Sequence, residues 1–178
     1  VWTEGIERVT REDLHWGWEM GYTLKLLAVA RDTPAGMEAW VRPAFLPQDH
    51  PLAGVRGASN ALLVRGARAG QLVFQGLGAG GDPTATAVVA DLVEAVRYLC
   101  WRGQPAAGSD LPYCTCREEA RLVPLDETES ASYLHLEVVD RPGVLAQVAG
   151  CLARHGVSAA EVLQKARGGP SVPLLFIT

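Results

Sequence analysis

The stretch GLGAGGDPTATAVVADLVEA, Gly76–Ala95, carries the sharpest local signal in the chain. Its first residues fit the pattern G-x-G-x-x-G, with glycines at 76, 78 and 81. A strand-like run, QLVF (71–74), precedes the pattern, and apolar residues at helical spacing follow it. A glycine-rich turn between a strand and a helix is a context in which the backbone can approach a dinucleotide closely. The stretch therefore predicts a strand, a tight turn and a helix, and raises the question of a bound dinucleotide.

The spacing beyond the glycines argues against a complete dinucleotide fingerprint. Such a fingerprint continues from its helix into a parallel strand that ends in an acidic residue, about 20 residues after the first glycine. That count reaches Val96, which is still inside the predicted helix, and a segment rich in proline, glycine and charge follows Trp101. Two interpretations stay open. The turn either forms one wall of a site whose main fingerprint lies elsewhere, since helix amides attract negative groups, or it only joins a strand to a helix.

The composition is that of a globular protein and excludes several classes. A length of 178 residues predicts one or two domains, and 48% hydrophobic with 20% charged residues allows a buried core. The net charge of −4 argues against a nucleic-acid partner, which would require clustered basic residues. No apolar run is long enough to cross a membrane and no signal peptide is evident, so we expect a soluble, cytoplasmic protein. Cys114 and Cys116 lack the spacing of a zinc motif, so we predict no metal site.

Hydrophobic patterning predicts an α+β fold with mixed or antiparallel sheets. Thr10 is expected to cap a helix over 11–20, and Asp82 to cap the helix after the glycines, with Pro83 at its first position. We predict strands over 23–32, 37–47, 61–66 and 70–76, and a linker over 102–131 with a short ordered piece at 112–125.

From Tyr133 the pattern changes to strand, helix, strand, strand. The run YLHLEVVD (133–140) alternates, with Leu134, Leu136 and Val138 on one face and Tyr133, His135 and Glu137 on the other. We expect His135 to pair across the sheet. The turn DRPG (140–143) precedes a helix that ends at Gly156, and two strands follow at 157–166 and 171–178. This order is the first two-thirds of a ferredoxin-like β-α-β-β-α-β domain.

Three runs resemble a known family: GIERVT with GYTLKLLAVA, LPQDHPLAGVRGASNALLV, and above all GLGAGGDPTATAVVADL. They are similar to the carboxy-terminal part of the catalytic domain of homoserine dehydrogenases, over roughly residues 3–99. Residues 133–178 resemble an ACT domain, the regulatory module that bacterial members often carry at this place. The resemblance implies three parts, which are a catalytic-domain portion at 1–101, a linker at 102–131 and a truncated ACT-like domain at 132–178.

The resemblance implies a function for the glycine turn. Homoserine dehydrogenases interconvert L-aspartate 4-semialdehyde and L-homoserine with NAD or NADP, on the route to threonine and methionine. Carried over, Gly78, Ala79 and Gly80 would contact the cofactor, with Gly76, Gly81 and Thr84 as weaker candidates. The helix at 82–100 would pack on the nucleotide-binding domain, and the sheet would build a homodimer.

The departures from the family pattern are equally informative. The family's catalytic glutamate, aspartates and lysine precede the point where this chain begins, and the first Rossmann strand is not in it either. Lys25 and Lys165 do not occupy the catalytic position. We therefore expect a fragment of a longer polypeptide that is inactive by itself, with no catalytic residue of its own. The residues that discriminate NAD from NADP would lie in the other part.

In ACT-like domains an amino acid binds where the first strand-to-helix turn meets a second copy. Helix amides suit a ligand carboxylate, and a side-chain carboxylate suits an amino group. Threonine is the leading expected ligand, although a turn that merely caps a helix stays open. A stand-alone amino-acid-binding regulatory or dimerisation module, or a purely structural dimer domain, is the alternative to an enzyme fragment. The residues expected at this regulatory site are Asp140, Arg141, Pro142, Gly143, Val144 and Leu145.

Overall fold

The computed structural model describes residues 1–102, 120–165 and 171–178. The helices are α1 (Arg11–Glu19), α2 (Gly81–Arg102) and α3 (Val144–Arg154), with a short 3₁₀ turn at Leu125–Glu127. The strands are β1 (Trp2–Thr3), β2 (Tyr22–Thr33), β3 (Gly36–Pro47), β4 (Ser59–Gly66), β5 (Gly70–Leu77), β6 (Tyr133–Val139), β7 (Glu161–Gln164) and β8 (Ser171–Ile177). The predicted α+β class is confirmed. Most of the predicted linker, and part of the ordered piece expected at 112–125, lie outside the described residues.

The chain divides into two compact units. One unit combines residues 1–48 with 121–178, and the other spans 49–120. This division by contacts places its boundaries elsewhere than the three-part division predicted from the sequence, which stays a prediction. Within the first unit, the segment that resembles a catalytic domain therefore shares a body with the segment that resembles an ACT domain.

A long hairpin forms the first sheet, in the order β1-β3-β2. β2 and β3 pair antiparallel from Tyr22 opposite Pro47 to Thr33 opposite Gly36. Glu38 is only 7% exposed, and its carboxylate accepts a hydrogen bond of 2.9 Å from Nε of Arg31 on the neighbouring strand. A buried carboxylate requires such a partner, so this pair fixes the register near the turn.

Helix α1 begins as predicted, at the Thr10 cap. The Thr10 hydroxyl accepts from the Asp13 amide at 3.2 Å, and the Asp13 carboxylate accepts from the Thr10 amide at 2.9 Å, which completes a capping box. The helix buries Trp16 and Gly17. Gly17 lies so close to the ring of Phe45 in β3 that a Cβ atom would collide with it.

The sheet near the carboxyl end of the chain has the order β6-β8-β7, and β8 pairs antiparallel with both neighbours. This is the arrangement that the predicted β-α-β-β order produces when the third strand inserts between the first two. β8 supplies most of the buried apolar side chains, namely Val172, Leu174, Leu175, Phe176 and Ile177.

The second strand of this sheet is shorter than predicted. We expected it over 157–166, but β7 covers only Glu161–Gln164. Glu161 pairs with Ile177, the last residue of β8. Ala160 adds one last hydrogen bond, from its amide to the Ile177 carbonyl at 2.7 Å.

The second unit contains the hairpin of β4 and β5, followed by α2. The strands pair from Ser59 opposite Leu77 to Gly66 opposite Gly70. α2 begins at Gly81, so the predicted cap, Asp82, lies inside the first turn, where its charge still complements the helix dipole. Among the helices of the described residues, none is long and apolar enough to span a bilayer.

Candidate functional site

The glycine turn leaves β5 at Leu77 and is fixed against β4. The Gly78 amide donates a hydrogen bond of 2.8 Å to the Ala58 carbonyl, just before β4 begins. A Cβ atom on Gly78 would collide with the side-chain amide of Asn60. A side chain at position 78 would therefore require the exposed side chain of Asn60 to move.

Gly80 connects the turn to α2. Its φ of +124° lies in the region that side chains disfavour, and its carbonyl accepts the first helical hydrogen bond, from the Thr84 amide at 3.1 Å. The amides of Gly81 and Asp82 precede that bond and have no intrahelical acceptor. The turn therefore presents donors at the positive end of a helix, where a negatively charged group is stabilised.

An open depression of about 760 Å³ lies beside the turn. The residues that line it are Gly80, Gly81, Thr84, Ala85, Val88 and Val89. Gly80 and the weaker candidates Gly81 and Thr84 are thus brought together, while Gly78 and Ala79 lie in the same turn but do not line the depression. None of the six lining residues has a titratable side chain, so these residues provide no acidic or basic group.

The apolar face predicted for α2 is present and faces solvent in the described chain. Val89 is 57% exposed, Leu92 60% and Val96 57%. These residues lie one turn apart and extend the apolar lining of the depression along the helix. A contiguous apolar surface of this kind is typical of an interface.

The six residues expected at the regulatory site are contiguous: Asp140–Gly143 lie between β6 and α3, and Val144 and Leu145 begin α3. Gly143 is the N-cap of α3 with a φ of +91°, and no side chain caps the helix. Asp140, Arg141 and Pro142 are exposed. The first amides of α3 and the Asp140 carboxylate therefore lie on the same exposed segment. The Asp140 carboxylate does not cap the helix.

A polar cluster between α1 and β6 was not anticipated as a site. The Asp13 carboxylate accepts a hydrogen bond of 3.0 Å from the Tyr133 hydroxyl and lies 2.8 Å from Nδ1 of His135. The expected pairing of His135 across the sheet is wrong, since its register partner is Leu175 and its polar partner is on α1. The contact could not be predicted from the sequence because Asp13 and His135 are 122 residues apart.

Burial and hydrogen bonding oppose each other at Asp13. Burial raises the pKa of its carboxyl, but hydrogen bonds from Thr10, His135 and Tyr133 together lower the pKa below its ordinary value. Burial, and after it the charge of Asp13, raises the pKa of the Tyr133 phenol. The Tyr133 hydroxyl therefore stays protonated throughout the physiological pH range and donates its hydrogen bond to Asp13.

The comparisons with known proteins agree with this architecture. The family model described as homoserine dehydrogenase matches residues 1–93. A homoserine dehydrogenase of Pseudomonas aeruginosa is 38% identical over 189 aligned positions, which cover 100% of this chain and 42% of that protein. A homoserine dehydrogenase of Mycobacterium bovis is 41% identical over 170 positions, covering 93% of this chain and 37% of that protein. The chain thus spans about two fifths of these relatives.

Solved structures extend the likeness to the fold. A homoserine dehydrogenase from Thiobacillus denitrificans superposes with a TM-score of 0.83 at 36% identity, over 98% of this chain and 39% of that one. A homoserine dehydrogenase from S. aureus shares the fold alone, with a TM-score of 0.61 at 24% identity. With a family model that matches more than half of its residues, the chain belongs to the homoserine dehydrogenase family.

Proposed function

We propose that this chain forms one wall of the cofactor site in an NAD(P)-dependent homoserine dehydrogenase. That enzyme would interconvert L-aspartate 4-semialdehyde and L-homoserine, in the cytoplasm and as a homodimer. The observation that carries the proposal is the Gly78–Gly80 turn, which opens the amino end of α2 beside an apolar depression. Family membership makes a nicotinamide cofactor the expected ligand of that surface.

The residues present fit such a cofactor. A Cβ atom built on Gly81 meets nothing within 4 Å, so the space beside the helix start is open. Helix amides there suit a phosphate or a carboxamide oxygen, and Val88 and Val89 offer an apolar surface. The cofactor would supply or accept the hydride. This chain would hold it in place and exclude water, while the proton-transferring groups would come from elsewhere in the enzyme.

The first experiment tests the 178-residue chain itself. We expect no measurable reduction of NAD or NADP with L-homoserine, because hydride transfer also requires a proton-transferring group close to the substrate. Robust turnover by the isolated chain would contradict the division of roles proposed here.

A second experiment restores the whole enzyme. This chain would replace the matched part of the Pseudomonas aeruginosa relative, and homoserine oxidation by the chimera would be measured. Gly81→Ala places a methyl group in the depression without a clash, and we expect the KM for the cofactor to rise several-fold. Gly54→Ala is the matched control, because its added methyl group also meets nothing and Gly54 neither lines the depression nor is a candidate cofactor contact. Equal KM values in the two variants would refute the cofactor wall.

We further propose that β6, α3, β7 and β8 form an amino-acid-binding ACT module. The split β-α-β topology and the uncapped α3 start support this proposal.

L-Threonine is expected to raise the melting temperature of the chain, and Asp140→Ala to abolish that rise. Asp126→Ala, in the short 3₁₀ turn, serves as the control. A response to threonine without any effect of nucleotide would favour the alternative of a stand-alone regulatory module.

A further inference from the structure

We propose that Glu12, His135 and Glu137 bind one divalent transition-metal ion, with Zn²⁺ as the best match, between α1 and β6. One ligand atom from each of these three residues lies within 4.8 Å of the other two. Glu12 comes from the first turn of α1, and the other two come from the same face of β6. The site thus combines two segments that are distant in the sequence but belong to one compact unit.

The spacing of the donor atoms is close to that of a tetrahedral site. Nε2 of His135 and Oε1 of Glu137 are 3.5 Å apart. Ligand atoms at about 2.0–2.1 Å from a tetrahedral zinc ion are separated by roughly 3.3 Å. The distance between the two ligand atoms on β6 is therefore close to the distance between two ligands of a tetrahedral zinc ion. A small rotation of the exposed Glu12 side chain would place its carboxylate as the third ligand.

His135 is oriented as a metal ligand. Asp13 accepts hydrogen bonds from the Thr10 hydroxyl, the Thr10 amide and the Tyr133 hydroxyl, so its carboxylate acts as an acceptor and Nδ1 of His135 is the donor. The neutral imidazole then carries its lone pair on Nε2. A histidine whose other ring nitrogen donates to a carboxylate is the usual arrangement at metal centres.

Nε2 of His135 lacks a hydrogen bond within the described residues and has only the longer contact with Glu137. The ring as a whole is 20% exposed, but this nitrogen is inaccessible to solvent and makes no hydrogen bond within the described residues. Buried polar atoms in proteins are almost always satisfied. A metal ion between Nε2 and the two glutamates would satisfy it and would offset the charge of the surrounding carboxylates.

The ligand types select the metal class. One imidazole and two carboxylates suit Zn²⁺ and similar ions, whereas Mg²⁺ and Ca²⁺ prefer oxygen ligands alone. Three protein ligands leave a fourth position for water or a further group. The competing explanation is an ion pair in which a protonated His135 lies between Asp13 and Glu137 without any metal.

The test is calorimetric titration of the metal-free 178-residue chain with Zn²⁺, with Mg²⁺ as the comparison. We expect one equivalent of Zn²⁺ to bind and no comparable binding of Mg²⁺. His135→Gln should abolish binding, and Glu137→Gln should weaken it at least about tenfold. Glu94→Gln, an exposed glutamate on α2, should leave it unchanged. Binding that survives His135→Gln overturns the proposal.

Thiolates are the main competing ligands and require their own control. Replacing Cys114 and Cys116 by serine should leave the affinity intact, and loss of binding in that variant would overturn the proposed site. Co²⁺ supplies a readout that a folding defect does not imitate. We expect a visible spectrum of tetrahedral type without a thiolate charge-transfer band, altered by Glu137→Gln in a chain that remains folded by circular dichroism.

Discussion

At the scale of single residues, Tyr22 couples stability to alkaline pH. Burial, and after it the hydrogen bond of its hydroxyl to Glu161 at 3.1 Å, raises the pKa of Tyr22 above its ordinary value near 10. A raised pKa in the folded state means that the stabilisation is complete below about pH 10 and is lost as the pH rises through the folded value. We expect the stability advantage of the parent over Tyr22→Phe, measured by urea unfolding, to be smaller at pH 11 than at pH 8.

A second variant separates charge from hydrogen bonding. Glu161→Gln keeps an acceptor for the Tyr22 hydroxyl but removes the negative charge that opposes its ionisation. We expect the alkaline loss of stability to be shallower in this variant than in the parent. An identical pH dependence of parent, Tyr22→Phe and Glu161→Gln would show that Tyr22 ionises alike in both states.

At the scale of elements, two helical glycines differ in what surrounds them. Gly17→Ala should destabilise the chain by about 1–3 kcal/mol, because the new methyl group collides with Phe45 where α1 packs on β3. Gly150→Ala is the matched control in α3, since its Cβ would meet only Nη1 of Arg154 at 3.8 Å. It should stabilise by about 0.5–1 kcal/mol, as a helical glycine usually does when replaced by alanine. Urea unfolding of both variants measures the contrast.

The elements were predictable where local chemistry decides them, and the contacts between them were not. Thr10 marks the start of α1 because capping is local, and the alternation of β6 gives its two faces. The bounds of β7 depend on its pairing with β8, which no local pattern contains. The Asp13–His135 contact depends on the packing of α1 against β6. The spacing of the glycines predicted the turn. The closeness of Gly78 to Asn60 could be recognised only in the structure.

At the scale of the whole molecule, the apolar face of α2 is exposed in the described residues, and under the proposed function we expect the longer enzyme to cover it. Leu92 is 60% exposed, so Leu92→Lys should change the free energy of unfolding of the 178-residue chain by less than about 0.5 kcal/mol. In the Pseudomonas aeruginosa chimera, the nucleotide-binding domain would cover this face. The same substitution would then bury a charge and should cost several kcal/mol.

The control for this contrast lies two residues away on the same helix. Glu94 does not share a face with Leu92, because residues at i and i+2 point in different directions. Glu94→Lys should therefore leave both the chain and the chimera nearly unchanged. Thermal unfolding and homoserine oxidation of the chimera are the two readouts. If Leu92→Lys is as harmless in the chimera as in the isolated chain, α2 does not dock on the nucleotide-binding domain, and its apolar face must be assigned to another contact.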